Sequence, residues 1–156
     1  MHKDSVKSPE LVNALAVVLS DTVTFTFMLS GAHWNVTGSD FSQYHDFFGE
    51  IYEDVQGAID PTAENIRKLG AMAPSKLTDF VAMSRIVPRD CMGPVQKTLG
   101  DLIVANSVVI DGVGECLAIA DACNEQGIAD FLAGRDDMHK KWGWQLSASL
   151  DRDELY

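Results

Sequence analysis

The chain has 156 residues, close to one ordinary domain, and with 46% apolar and 22% charged residues it can build a core and is not a disordered tail. Its 12 basic and 23 acidic residues leave a formal charge of −11, which excludes a general nucleic-acid binder, since phosphate would be repelled over most of the surface. The N-terminus lacks a signal peptide's apolar run, and the most apolar stretch, Leu11 to Leu29, is interrupted by Asn13, Ser20 and Asp21. Three cysteines (Cys91, Cys116, Cys123) with no CxxC read as free thiols, so the expectation is a cytoplasmic protein with no membrane span.

Ser8-Pro9 reads as an N-cap followed by proline at the first helical position, leaving residues 1–8 as a short tail of a single domain over 1–156. Leu11, Leu15, Val18, Thr22, Phe25, Leu29 and His33 then fall at spacings of four and three, one face of a helix that Asn35 to Gly38 stops. Ser39 or Asp40 can cap a second helix, whose stripe runs from Phe41 through His45, Phe48, Tyr52, Val55, Ile59, Thr62 and Ile66 to Leu69. Gly70 ends it, and Pro61 should kink or break it. Residues 71–93 read as a connection with one short helix over Lys76 to Ser84. A third helix starts near Pro94 and keeps its spacing to Cys123; Asn124 to Gly127 breaks it. A fourth runs from about Ile128 to Leu150, with Arg135, His139 and Trp142 in register.

No strand-like alternation competes, so the fold is all-α. Joints of about four residues make antiparallel hairpins, and the middle connection is long enough to cross the bundle. The expected architecture is a ferritin-like four-helix bundle with one long crossover.

Two features carry chemistry. His33 and His45 lie on apolar stripes and flank one tight joint, so both imidazoles can face a common point, and imidazole is a ligand for iron and zinc. A single histidine in such a place is more often a core residue; the pair shifts the balance. Asp60 and Glu64 lie four apart on one helical face. They read either as a solvated acidic face, with Glu64 paired to Arg67 or Lys68, or as hard oxygen ligands for a divalent cation. His45 and Asp60 are about 22 Å apart along one helix axis, so they cannot hold one ion within one chain. Two chains antiparallel about a two-fold axis would bring the histidine end of one to the carboxylate end of the other, and would make oligomerisation obligatory.

The run Ala32-His33-Trp34-Asn35-Val36-x-Gly38-x-x-Phe41-x-x-x-His45, then Asp60-x-x-x-Glu64 and Leu69-Gly70, resembles the Dps miniferritins (DNA-binding protein from starved cells). The likeness extends from about residue 10 to the C-terminus, with His139 and Trp144 also similar to the family pattern. It implies a hollow dodecamer storing iron, with di-iron or mono-iron ferroxidase sites between subunits and hydrogen peroxide as oxidant. His33 and His45 would come from one subunit and Asp60 and Glu64 from its mate. Trp34 would lie beside the site as an electron donor; its alternative is simple core packing. Asp130 and Glu125, within an acidic group with Asp121, Asp136 and Asp137, would stand at three-fold pores, whose alternative is ordinary solubility. Glu50, Glu53 and Asp54 would face the cavity.

Gly49 departs from that pattern, which has an aspartate one turn after the second histidine. Asp46 and Glu50 point about 100° to either side of it, and either of them, or water, could fill the gap. The alternative function is therefore a cage that sequesters divalent metal, zinc included, and oxidises it poorly. DNA binding is not expected, because the tail's Lys3 and Lys7 are offset by Asp4 and Glu10.

Overall fold

A computed structural model describes residues 6–151, and among them every regular element is a helix. Lys3 and Asp4 of the tail lie outside the described residues. Helix α1 spans Pro9–Asn35. Its start is the expected cap: the Ser8 hydroxyl accepts the Leu11 N–H at 3.4 Å. Buried hydroxyls need partners, and Ser20, Thr22, Thr26 and Ser30 find them locally, each donating to the carbonyl four residues back at 2.7–2.9 Å.

The second helix is in two pieces, α2 (Phe41–Gly57) and α3 (Ile59–Lys68). The cause is Pro61, which has no N–H for the Gly57 carbonyl and crowds it with its ring. The Ala58 N–H turns to Val55 O at 3.1 Å, and the ladder resumes with Thr62 N–H to Ala58 O at 3.2 Å. The break costs one residue, so Phe48, Ile51, Val55, Thr62, Ile66 and Leu69 stay on one buried stripe. Gly70, at φ +87°, closes α3: the Ala71 N–H reaches back to Ile66 O at 3.4 Å. The expected side-chain cap at the other end is not formed. Asp40 occupies the N-cap position of α2, but its carboxylate makes no capping bond.

The crossover carries α4 (Leu77–Met83), and α5 (Val95–Ala122) and α6 (Gln126–Ala148) form the second hairpin. Asn124, at φ +59°, ends α5 in the left-handed conformation that asparagine tolerates, with the Glu125 N–H on Ala120 O at 3.0 Å. Helix α6 begins at Gln126 and ends at Ala148, two residues earlier at each end than its apolar stripe suggests.

Helix α1 packs against α2, α3, α4 and α5, and α5 packs against α6. The core between them includes Leu15, Phe25, Phe48, Leu102, Leu132 and Leu146, all fully buried. By length and composition α1 and α5 would pass as membrane spans despite Asn13, Ser20 and Asp21, but their apolar residues form the centre of this bundle.

The crossover is pinned to α1 by Asp21, which is 0% exposed. One carboxylate oxygen accepts the Arg85 N–H at 2.6 Å and the Ser84 hydroxyl at 3.0 Å. The other lies 3.6 Å from the Arg85 guanidinium Nε. The Arg85 guanidinium covers Gly112 of α5, where a side chain would meet it, and reaches Glu115 at 3.1 Å. One buried carboxylate thus ties together α1, the end of α4 and α5.

Candidate metal centre

His33 sits in the last turn of α1 and His45 near the start of α2, and the short joint brings their rings into a stack. The centroids are 3.8 Å apart and the planes are tilted by 16°. Phe41 adds a third ring, 5.0 Å from His45. The two imidazoles exchange hydrogen bonds across the joint: His33 Nδ1 bonds the His45 carbonyl at 2.6 Å, and His45 Nδ1 bonds the His33 carbonyl at 2.7 Å. A carbonyl only accepts, so each Nδ1 carries a proton, and Nε2 is the nitrogen left for another partner. Anchoring one ring nitrogen on backbone to bare the other is the usual arrangement of a ligating histidine.

Trp34 follows His33 and is 67% exposed, so core packing does not account for it. Asp60 and Glu64 are exposed on α3. Among the described residues neither enters a hydrogen bond or an ion pair. The cations beside them are turned elsewhere: Arg67 bonds Ala71 O at 2.6 Å and Lys68 bonds Asn65 Oδ1 at 3.2 Å. The pairing of Glu64 with Arg67 or Lys68 is therefore absent, and two neighbouring carboxylates stand uncompensated.

The chain brings His33 and His45 together and leaves Asp60 and Glu64 apart from them. Among the described residues no three His, Cys, Asp or Glu side chains gather around a common point. Neither Asp46 nor Glu50 joins the imidazoles in place of a side chain at Gly49. Borderline nitrogen donors and hard oxygen donors are both of types that suit a first-row divalent ion, but the single chain keeps the two sets apart.

The third histidine of the bundle does something else. His139 is 1% exposed. Its Nδ1 donates to Asn106 Oδ1 at 2.8 Å, and its Nε2 faces Arg135 at 3.2 Å. Arg135 holds Asp54 through two bonds of 3.0 Å, and the Trp142 N–H meets the same carboxylate at 2.8 Å. Burial, with the Arg135 charge, pushes the His139 pKa down from 6.5 to about 3. Burial works to raise the Asp54 pKa, but the bonds from Arg135 and Trp142 outweigh it and hold the carboxyl below its usual value. Asp54 is therefore a half-buried carboxylate committed to Arg135 and Trp142. Glu50 and Glu53 remain exposed. In the acidic group, Asp121, Asp130 and Asp137 are exposed and Glu125 is half-buried, whereas Asp136 pairs with Lys140 at 2.6 Å.

A ferritin-like domain model matches residues 12–156. An uncharacterised Haemophilus influenzae protein is 28% identical over 146 residues, covering 94% of this chain and 91% of that protein. A DNA protection during starvation protein of Porphyromonas gingivalis is 23% identical over 138 residues, covering 88% of this chain and 87% of its own. Among solved structures, a Dps protein from Vibrio cholerae O1, described as belonging to a broad superfamily of ferritin-like diiron-carboxylate proteins, superposes with a TM-score of 0.85. It is 26% identical and covers 91% of this chain and 89% of its own. Antigen TpF1 of Treponema pallidum has the same fold, with a TM-score of 0.88 at 21% identity, covering 95% of this chain and 96% of its own.

Proposed function

We propose, for a chain that belongs to the ferritin-like family and within it to the Dps miniferritins, that it stores iron in a hollow cage of identical subunits, taking Fe(II) as substrate and hydrogen peroxide as oxidant. The observation that carries this reading is the reciprocal bonding of His33 and His45, which leaves two imidazole nitrogens free at an exposed joint. Asp60 and Glu64 of a two-fold mate complete the site, and their lack of local cationic partners supports that role. Self-association is supported by the apolar cleft of about 460 Å³ between α1 and α4, rimmed by the exposed Phe27, Leu77 and Val81. The assembly is a dodecamer in this reading, with Asp130 and Glu125 focusing Fe(II) at its three-fold pores.

In the reaction two Fe(II) ions each give one electron to one peroxide molecule. The O–O bond breaks, two protons are taken up, two waters form, and no hydroxyl radical is released. The Fe(III) hydrolyses and is deposited inside. In this reading Trp34, the exposed residue that follows His33, gives an electron when only one Fe(II) is present. The histidines and carboxylates act as ligands and not as proton carriers. A cytoplasmic location is part of this reading, since three cysteines with no CxxC read as free thiols.

The test is anaerobic Fe(II) loading of the assembled protein followed by peroxide. Rapid ferric absorbance is expected, lost in His33→Ala and in Asp60→Ala while sedimentation shows the assembly intact. A second reading, a cage that retains divalent metal and oxidises it slowly, is favoured by Gly49, and metal retention without ferric absorbance would select it. A gel shift at ordinary salt should show no tight DNA complex.

A further inference from the structure

His139, inside the bundle, is oriented as a metal ligand would be. Asn106 Nδ2 donates to the His139 carbonyl at 2.8 Å, which fixes the amide so that its oxygen accepts the ring Nδ1–H, also at 2.8 Å. Holding one ring nitrogen in this way aims the lone pair of the other. What Nε2 meets is Nη2 of Arg135 at 3.2 Å. The same Nη2 donates to Asp54 Oδ2 at 3.0 Å, while Nη1 donates to Oδ1 at 3.0 Å. A neutral nitrogen from α6 and a carboxylate from α2 thus converge on one cationic group. Carboxylates and imidazoles on facing helices are what a ferritin-like bundle uses to hold metal in its core. An ordinary arginine–carboxylate pair needs only the two bonds to Asp54, and the oriented imidazole lies outside that account.

We propose that Arg135 is a built-in cation standing in the place of a metal ion, and that it is the residue that keeps divalent metal out of the bundle core. Steric closure does not do this. The side chains of Arg135 and Asp54 keep 13% and 24% of their surface exposed, so ions can reach them. The exclusion is electrostatic. The guanidinium neutralises the carboxylate, occupies the imidazole lone pair and cannot lose its proton, so an arriving divalent ion finds no charge left to compensate it. With an uncharged side chain at 135, the Asp54 carboxylate, still held by the Trp142 N–H at 2.8 Å, and the His139 lone pair are left without their cation. A first-row divalent ion then supplies it, with water filling its remaining positions. The centre at the joint of α1 and α2 plays no part in this inference.

Equilibrium Co(II) titration of the assembled protein, followed by d–d absorption, tests this. The quantity read is the difference that His139→Gln makes in each background, so that Co(II) bound elsewhere cancels. In wild type that difference should be nil. Arg135→Met should gain one His139-dependent equivalent per chain. Arg135→Lys, which keeps the charge, should gain none. A His139-dependent equivalent in wild type, none in folded Arg135→Met, or an equal gain in Arg135→Lys would overturn the proposal. Should Arg135→Met fail to fold without metal, its refolding yield decides: recovery by Co(II) that His139→Gln abolishes supports the proposal, and any other result overturns it.

Discussion

Acidification from pH 7 to pH 5 should weaken the fold through His139. This imidazole is held neutral, with its pKa pushed down to about 3 from an ordinary 6.5 by burial and the Arg135 charge. Unfolding frees it to take a proton, so below pH 6.5 the unfolded chain binds more protons than the folded one, and stability falls as pH falls. A pH of 5 lies 1.5 units below the free imidazole's ordinary pKa of 6.5, and integrating the linkage from pH 7 gives a loss of about 2 kcal/mol. Asp54 does not contaminate this window. Its lowered pKa contributes stability present above the unfolded value near 3.8, and that stability is lost only as pH falls through the still lower folded value. Urea unfolding followed by tryptophan fluorescence, at one protein concentration so that subunit dissociation enters equally, measures the difference. His139→Gln keeps a polar group facing Asn106 and Arg135 but cannot titrate. The wild type should lose about 2 kcal/mol more than this variant between the two pH values. Equal losses in the two proteins, or a His139 resonance titrating near pH 6.5, would refute the reasoning.

Asp21→Ala leaves the Arg85 N–H and Ser84 hydroxyl without their shared acceptor, and should cost about 2–4 kcal/mol in urea unfolding, with Asp21→Asn costing less. Gly134, inside α6, has open space where a methyl group would stand, with no atom within 4 Å, so Gly134→Ala should stabilise the fold by about 1 kcal/mol; Gly49→Ala in α2 should not, because the His33 ring must move. Burial raises the Cys91 thiol to about 11 and the Cys116 thiol to about 12, so in the native protein a thiol reagent at neutral pH should label Cys123 alone, as peptide mapping would show.

Apolar spacing located each long helix, and the punctuation Pro9, Gly70 and Pro94 located most ends, because these signals act within a turn or two of chain. Pro61 announced the break in the second helix, though not that it would fall at Ala58 and leave the stripe in register. The pairing of His33 with His45 was legible from the short joint between them. Their exchange of backbone bonds and the contact of His33 with Gly49 were not, because both depend on ring orientation. The interactions that reach furthest along the chain were missed. Asp21 interrupts an apolar stripe and finds its partners at Ser84 and Arg85; Arg135 falls on a core stripe and finds Asp54. A charge at a core position was the available signal in both cases, but nothing in the spacing named the partner. The commitment of Asp54 to Arg135 was not foreseen for the same reason, and the Asp40 cap was expected from residue type alone.

The exchange of bonds between His33 and His45 has a bearing on ion capture. Both rings are oriented by main-chain carbonyls before any ion arrives, so an incoming cation does not have to freeze two floppy side chains into place. If the pair ligates a cation as proposed, ions that suit the existing angle between the rings are favoured, and those that demand a rearranged shell must first disrupt the link between two helices.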